Sequence, residues 1–273
     1  MDSNPLGIAA WFCREVQFSD RLKLMRDAGF DATCIWWEDT DESRKRLRDR
    51  VPEMVRADGL SLDNIHVPYD WTPGLWSVDR AARTAAVAKH VSWVEDCGRH
   101  GIPRMVMHLV LGAKDPWRIE DGLDSVLRIV EAAEERGVTV AIENTRCVER
   151  IDAILDLIPS PHLGLCFDSA HDLLYSPAPL ELLSTWGHRL AATHFSDTDG
   201  RRDYHWSPGE GRVDFEAIAQ SMASHGYEGS LVIESVSRGG EGDAKAYLES
   251  ARERLVAIRE AMAARFTLDL GAA

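Results

Sequence analysis

The 273-residue sequence has no apolar run near the roughly 18 residues that a membrane-spanning helix requires. Its opening, MDSNPLGIAAWF, lacks the basic start and long apolar core of a signal peptide, so a cytoplasmic protein is expected. Cysteine is sparse. Cys13, Cys34, Cys97, Cys147 and Cys166 are dispersed, odd in number and without a C-x-x-C pair, which argues against a disulfide frame or a zinc knuckle. They read as reduced, mostly buried thiols. Glycine-rich phosphate loops are absent too: GIAAWF is not G-x-G-x-x-G, and no Walker sequence occurs. Positive charge is in deficit, with a net charge of -14, and such a field repels polyanions. The balance argues against nucleic acid as partner and favours a small-molecule substrate. No linker or low-complexity run divides the chain.

What the sequence does contain is an alternation of short apolar runs with longer segments of helical period. The expected strands are 6–11, 31–37, 62–67, 104–110, 138–144, 163–168, 191–196 and 230–235. Between them lie amphipathic stretches such as GLDSVLRIVEAAEERG, and several close on Gly just before the next strand, as in DAGF, ADGL, RHGI, ERGV and SHGY. Eight strand–helix pairs in a chain of this length predict a closed α/β barrel of the (β/α)8 TIM type, one domain over residues 1–273 with a loose tail at 266–273. The sequence is compatible with a homo-oligomer.

In such a barrel chemistry gathers at the C-terminal ends of the strands. Those ends carry His66, His108, Glu143, Asp168 with His171 three residues on, His194 and Glu234. Asp203 and His205 sit on the loop after the seventh strand, in DYHWSPGEG, where an extended backbone would point both side chains the same way. Singly, each residue has an ordinary use: a satisfied core histidine, or an acid capping the next helix. Jointly they require more. Glu143 and Glu234 follow Val-Ala-Ile and Leu-Val-Ile, and burying such carboxylates uncompensated costs several kcal/mol. A cation shared with the imidazoles offsets that cost, and mixed His/Asp/Glu ligation suits Zn²⁺, Mn²⁺ or Co²⁺.

On these residues the sequence resembles the xylose isomerase-like TIM barrels, a group that includes sugar and sugar-phosphate isomerases and epimerases and the endonuclease IV-type apurinic endonucleases. The resemblance implies that Glu143, Asp168, His194 and Glu234 hold a common metal, and that His171, in D-x-x-H, binds substrate or a further metal. GLCFDSAH and HFSDTDG…DYHWSPGEG are similar to the endonuclease signatures, which implies further ligands at His66, His108, Asp203 and His205 and a cluster of up to three zinc ions. The loop after the second strand departs from that branch. It reads WWEDTDESR, acidic where the endonucleases are basic.

Two activities therefore stay open. In the first, Glu143 and Glu234 move a proton as base and acid while a divalent ion polarises a small sugar or sugar phosphate, giving an isomerase or epimerase. His171 would orient the substrate, with Arg146, Arg201 or Arg202 near an anionic group and Trp37, Trp71, Trp76 or Trp206 walling the pocket. The alternative is a multinuclear-zinc phosphoester hydrolase of the endonuclease IV type, activating a bridging water.

Overall fold

The computed structural model describes residues 4–38, 47–112, 117–239 and 241–270. Eight strands run through it: β1 (Leu6–Ala9), β2 (Ala32–Trp36), β3 (Ser61–His66), β4 (Arg104–His108), β5 (Thr139–Glu143), β6 (Leu163–Asp168), β7 (Leu190–His194) and β8 (Leu231–Ile233). Every expected run is a strand. Most are trimmed at the C-terminal end, where the chain turns into the loops that build the site. The order is β7-β6-β5-β4-β3-β2-β1-β8, with every pair parallel. The ring closes between β7 and β8 through Phe195, whose N–H donates to Val232 O at 2.8 Å while its carbonyl accepts from Glu234 N at 2.9 Å. The protein is a TIM barrel.

The helices are α1 (Phe18–Asp27), α2 (Val51–Ala57), α3 (Arg80–His100), α4 (Ile119–Arg136), α5 (Val148–Leu157), α6 (Ser169–Tyr175), α7 (Glu181–Trp186), α8 (Phe215–Ser224) and α9 (Ala244–Leu270). Their faces follow the sequence period. In α4 the buried side chains are Ser125, Val126, Ile129, Val130 and Ala133, one stripe at three- and four-residue spacing turned to the strands. Gly101 and Gly137 end α3 and α4 in the left-handed conformation, φ 63° and 64°, so their N–H groups can return to carbonyls of the last turn. The expected loose tail is corrected in part: the backbone to Leu270 continues α9, and residues 271–273 lie outside the described residues. No helix among the described residues is long and apolar enough to cross a membrane. No disulfide links the cysteines, and all but Cys147 are buried.

The two-residue period of the strands sets the functional layer. Inside the ring, Ala9, Cys34 and Val232 on one side and Val106, Ala141, Cys166 and Ala192 on the other form clusters of small side chains. Two residues further along each strand direction, on the same face, stand Trp11, Trp36, His108, Glu143, Asp168, His194 and Glu234. His66 completes the layer two residues after buried Asn64. A floor of small residues thus supports a storey of imidazole, carboxylate and indole.

One buried histidine lies apart from this layer. His90 on α3 is fully enclosed; Nδ1 lies 2.8 Å from the Ala86 carbonyl and the ring packs edge-on against Trp93. Burial pushes its imidazole down to about 4 from the ordinary 6.5. Between those values the unfolded chain takes up a proton that the folded chain refuses, so stability falls as pH falls. Wild type should therefore lose about 2 kcal/mol more than His90→Leu between pH 6.5 and 5 in denaturant titrations. Parallel pH dependences for the two proteins would contradict this.

Candidate metal centre

Glu143, at the end of β5, is the hub of the layer. Its carboxylate is 1% exposed, and each oxygen faces two imidazoles. Oε2 lies 2.9 Å from His66 Nε2 and 3.1 Å from His108 Nε2. Oε1 lies 3.3 Å from His171 Nδ1 and 3.5 Å from His194 Nδ1. His194 in turn brings Nδ1 within 3.0 Å of Glu234 Oε2. Asp168, Glu143, His194 and Glu234 each offer a donor atom, and these atoms lie within 4.8 Å of one another. His66, His108 and Glu143 form a second such group. Asp203 makes the third contact, with Oδ2 at 3.1 Å from His171 Nε2 and 3.2 Å from His205 Nε2.

All nine acids and histidines singled out at the strand ends and on the following loop are therefore drawn into one connected cluster. Of the two uses considered for Asp168, the helix cap is observed. Its Oδ1 caps α6 by accepting the His171 N–H at 2.8 Å, and Asn144 brackets its backbone from both sides. The aromatic wall holds the outer imidazoles: Trp36 stacks on His66 at 4.9 Å and Tyr69 on His108 at 5.2 Å.

The electrostatics follow from burial opposed by neighbours. Burial alone would raise the Glu143 carboxyl, but the His108 and His194 imidazoles outweigh it and hold the group well below the usual carboxylate range. Glu234 is likewise lowered against burial by His194. Asp168 goes the other way, pushed up to about 7 by burial, with Glu143, Glu234 and Asp203 adding repulsion against the pull of His171. Burial disfavours charge on His171 and His194 as well, yet Asp168, Asp203 and Glu143 around His171, and Cys166, Glu234 and Glu143 around His194, hold both well above the ordinary imidazole value. Four acids are thus gathered with too little positive charge to satisfy all of them.

That imbalance fits a cation, and so do the unpaired atoms. His194 Nδ1 and Nε2, His171 Nδ1, Glu234 Oε2 and Asp203 Oδ1 are buried without a completed hydrogen bond, although oppositely charged groups stand nearby. Buried polar atoms left open are uncommon, and these all belong to residues of the one connected cluster. Two carboxylates, an imidazole and a third carboxylate at this spacing suit a divalent transition ion.

The loop after β7 departs from the sequence expectation in its conformation. His205 is not extended: it is left-handed at φ 49°, strain worth about 1–3 kcal/mol, and its Nδ1 is held 3.0 Å from the Glu234 carbonyl. Asp197, unnoticed in the sequence, anchors this loop. Its buried carboxylate accepts from the backbone N–H of Thr198, Gly209, Gly211 and Val213 at 2.8–3.0 Å. A Cβ on Gly211 would stand 2.3 Å from Asp197 Oδ1, so this turn of the Pro-Gly-Glu-Gly segment closes only on glycine.

A cavity of about 510 Å³ opens above the cluster, bounded by Trp11, Trp36, Tyr69, Arg146 and Tyr175. Of the expected substrate-binding residues, Arg146 and His171 line it. Trp37 does not. One residue past Trp36, it faces outward, fully buried, with Nε1 donating to Asp96 at 2.9 Å and the Arg48 guanidinium 4.8 Å over its ring. Trp76 is also core, donating to the Leu109 carbonyl at 2.7 Å. Trp71 and Arg201 are exposed outside the cavity wall, as is Arg202. Trp206 stacks on Tyr204 at 4.7 Å beside the cavity, capped by Arg238. Residues 39–44 of the acidic loop WWEDTDESR and 113–116 of LVLGAKDPWRIE lie outside the described residues. Trp11, Trp36, Tyr69 and Tyr175 went unnoticed in the sequence; strand parity, which puts Trp11 and Trp36 on the inner face, was the available signal for the first two.

Known proteins share this architecture. The solved structure of an L-ribulose 3-epimerase superposes with a TM-score of 0.79 at 19% identity, covering 99% of this chain and 98% of that one. That likeness is one of fold. The fructoselysine 3-epimerase of Escherichia coli O157:H7 is 26% identical over 143 residues, 50% of this chain and 52% of that protein. A probable endonuclease 4 from Cenarchaeum symbiosum (strain A) is 31% identical over 160 residues, 54% of this chain and 53% of that protein. Each of these two sequence matches spans about half the relative's length. The family of xylose isomerase-like TIM barrels matches residues 22–258, and this chain belongs to it.

Proposed function

We propose that this chain is a divalent-metal-dependent enzyme that isomerises or epimerises a small sugar-like substrate. The observation that carries the reading is the placement of Glu143 at the end of β5 and Glu234 just past β8 with His194 between them, their oxygens 3.5 and 3.0 Å from the same Nδ1. Glu143, Asp168, His194 and Glu234 would hold the ion, which when bound polarises a carbonyl as a Lewis acid. Proton transfer belongs to the side chains. One glutamate takes the proton from the carbon next to the carbonyl. If the other returns a proton to that carbon on its opposite face, the product is an epimer; return to the neighbouring carbon gives an isomer. His171, set between Glu143 and Asp203, orients the substrate hydroxyls. Trp11 and Trp36 offer flat apolar faces to the sugar's C–H side and exclude water. The epimerase among the sequence relatives supports the same reaction class.

A second reading has its own observation. His66, His108 and Glu143 form another donor group, and Asp203 joins His171 to His205, more ligands than a single-ion isomerase requires. A two- or three-ion cluster holding a water would hydrolyse a phosphoester, and the endonuclease among the relatives supports that alternative.

Metal content separates the two. Protein purified gently and analysed by plasma mass spectrometry should hold one ion per chain, lose turnover of a ketose panel on chelation and regain it with Mn²⁺, Zn²⁺ or Co²⁺. Three ions per chain, together with cleavage of abasic-site DNA at low enzyme concentration, would transfer the assignment to hydrolysis. Glu143→Gln and Glu234→Gln should each lower kcat at least about 100-fold with the circular dichroism spectrum unchanged. Ketose turnover within threefold of wild type in either variant would refute the proton-transfer pair.

A further inference from the structure

We infer that the substrate carries an anionic end, a phosphate or a carboxylate, and that Arg146 receives it. The inference rests on the sugar-active reading above and deepens it by naming the class of substrate.

Acidic residues outnumber Lys and Arg in this chain, 45 to 31, so a guanidinium at the surface has abundant carboxylates to pair with. Arg146 takes none of them among the described residues. It stands three residues beyond Glu143 on the loop after β5 and lines the cavity. Its guanidinium lies 4.6 Å above the Tyr175 ring. Its stem passes Gly112, where an added Cβ would be 3.8 Å from Arg146 Cδ.

Tyr175 does more than cover the arginine. It also lines the cavity, and its ring packs on the His171 ring at 5.5 Å, the two residues sharing one face of α6 at i and i+4. A continuous stack of Arg146, Tyr175 and His171 therefore leads from the mouth to the cluster. A ring beneath the guanidinium engages its flat face and leaves the N–H edge open, five donors in a planar fork suited to two oxygens of a phosphate or carboxylate. Such a fork favours a bidentate anion over a neutral hydroxyl. The second cavity-lining guanidinium, Arg14, follows β1, across the ring from β5. The floor carries the carboxylates that act on the carbon skeleton, and the rim carries the positive charge. A cavity of about 510 Å³ accommodates a sugar of five or six carbons extended from one to the other.

Three non-reacting probes test this by calorimetry on the metal-loaded protein: a five-carbon sugar alcohol, the same alcohol with a terminal phosphate, and the corresponding aldonate. At least one anionic probe should bind ten times or more tightly than the neutral alcohol, and the tighter of the two identifies the group. Arg146→Gln should abolish that advantage while changing affinity for the neutral alcohol less than twofold, and Arg146→Lys should restore part of it. An anion advantage that survives Arg146→Gln, or three probes that bind wild type equally, would overturn the assignment. The enzymatic reading is tested separately. If no ketose, charged or neutral, is turned over, that reading fails; if anionic ketoses are turned over with kcat/KM indifferent to Arg146→Gln, only the anion assignment fails.

Discussion

The structure depends on one buried carboxylate. Glu143 places each oxygen between two imidazoles, His66 and His108 on one side and His171 and His194 on the other. Desolvating a carboxylate this deeply costs several kcal/mol unless charged and hydrogen-bonding partners replace water. The partners here come from β3, β4, α6 and β7, so the cost is met only when those elements are docked together. The barrel mouth and the candidate centre are one construction. Strand closure brings the imidazoles to Glu143, where His108 and His194 above all hold its carboxyl well below the usual carboxylate range against burial.

The same layer explains why the site is concave. Small side chains below it, Ala9, Cys34, Val106, Ala141, Cys166 and Ala192, fill the narrow ring without raising its floor. Indole and imidazole rings above form walls by stacking. The chemistry is confined between an apolar base and a mixed rim, where Coulomb interactions are stronger than in water. The left-handed backbone of His205 and the four-fold anchoring of its loop on Asp197 belong to the same economy, since strain persists only where surrounding bonds over-determine it.

Much of this was legible in the sequence. The eight apolar runs are the eight strands, and polar residues ending them could only face the ring's mouth or the helices. Two-residue parity decided which. The aromatic assignments failed where that parity was not applied: Trp36 lies in phase with His66 on its neighbour strand and stacks on it, while Trp37, one residue out of phase, is driven to the helix layer and Asp96. Loop geometry was less legible. Asp203 and His205 do meet, but through a left-handed turn set by Asp197 and Gly211, partners separated in sequence whose hydrogen bonds no local period encodes. Tyr175 was equally hidden, because its contact with Arg146 joins α6 to the loop after β5, a pairing no local period encodes.

In the proposed centre Glu143, Asp168, His194 and Glu234 together hold one divalent ion. Diffraction from crystals grown with Zn²⁺, recorded on both sides of the zinc absorption edge, addresses it directly. An anomalous peak is expected within about 2.0–2.3 Å of donor atoms from all four residues. Strong zinc peaks elsewhere on the protein, with none among these four side chains, would contradict it.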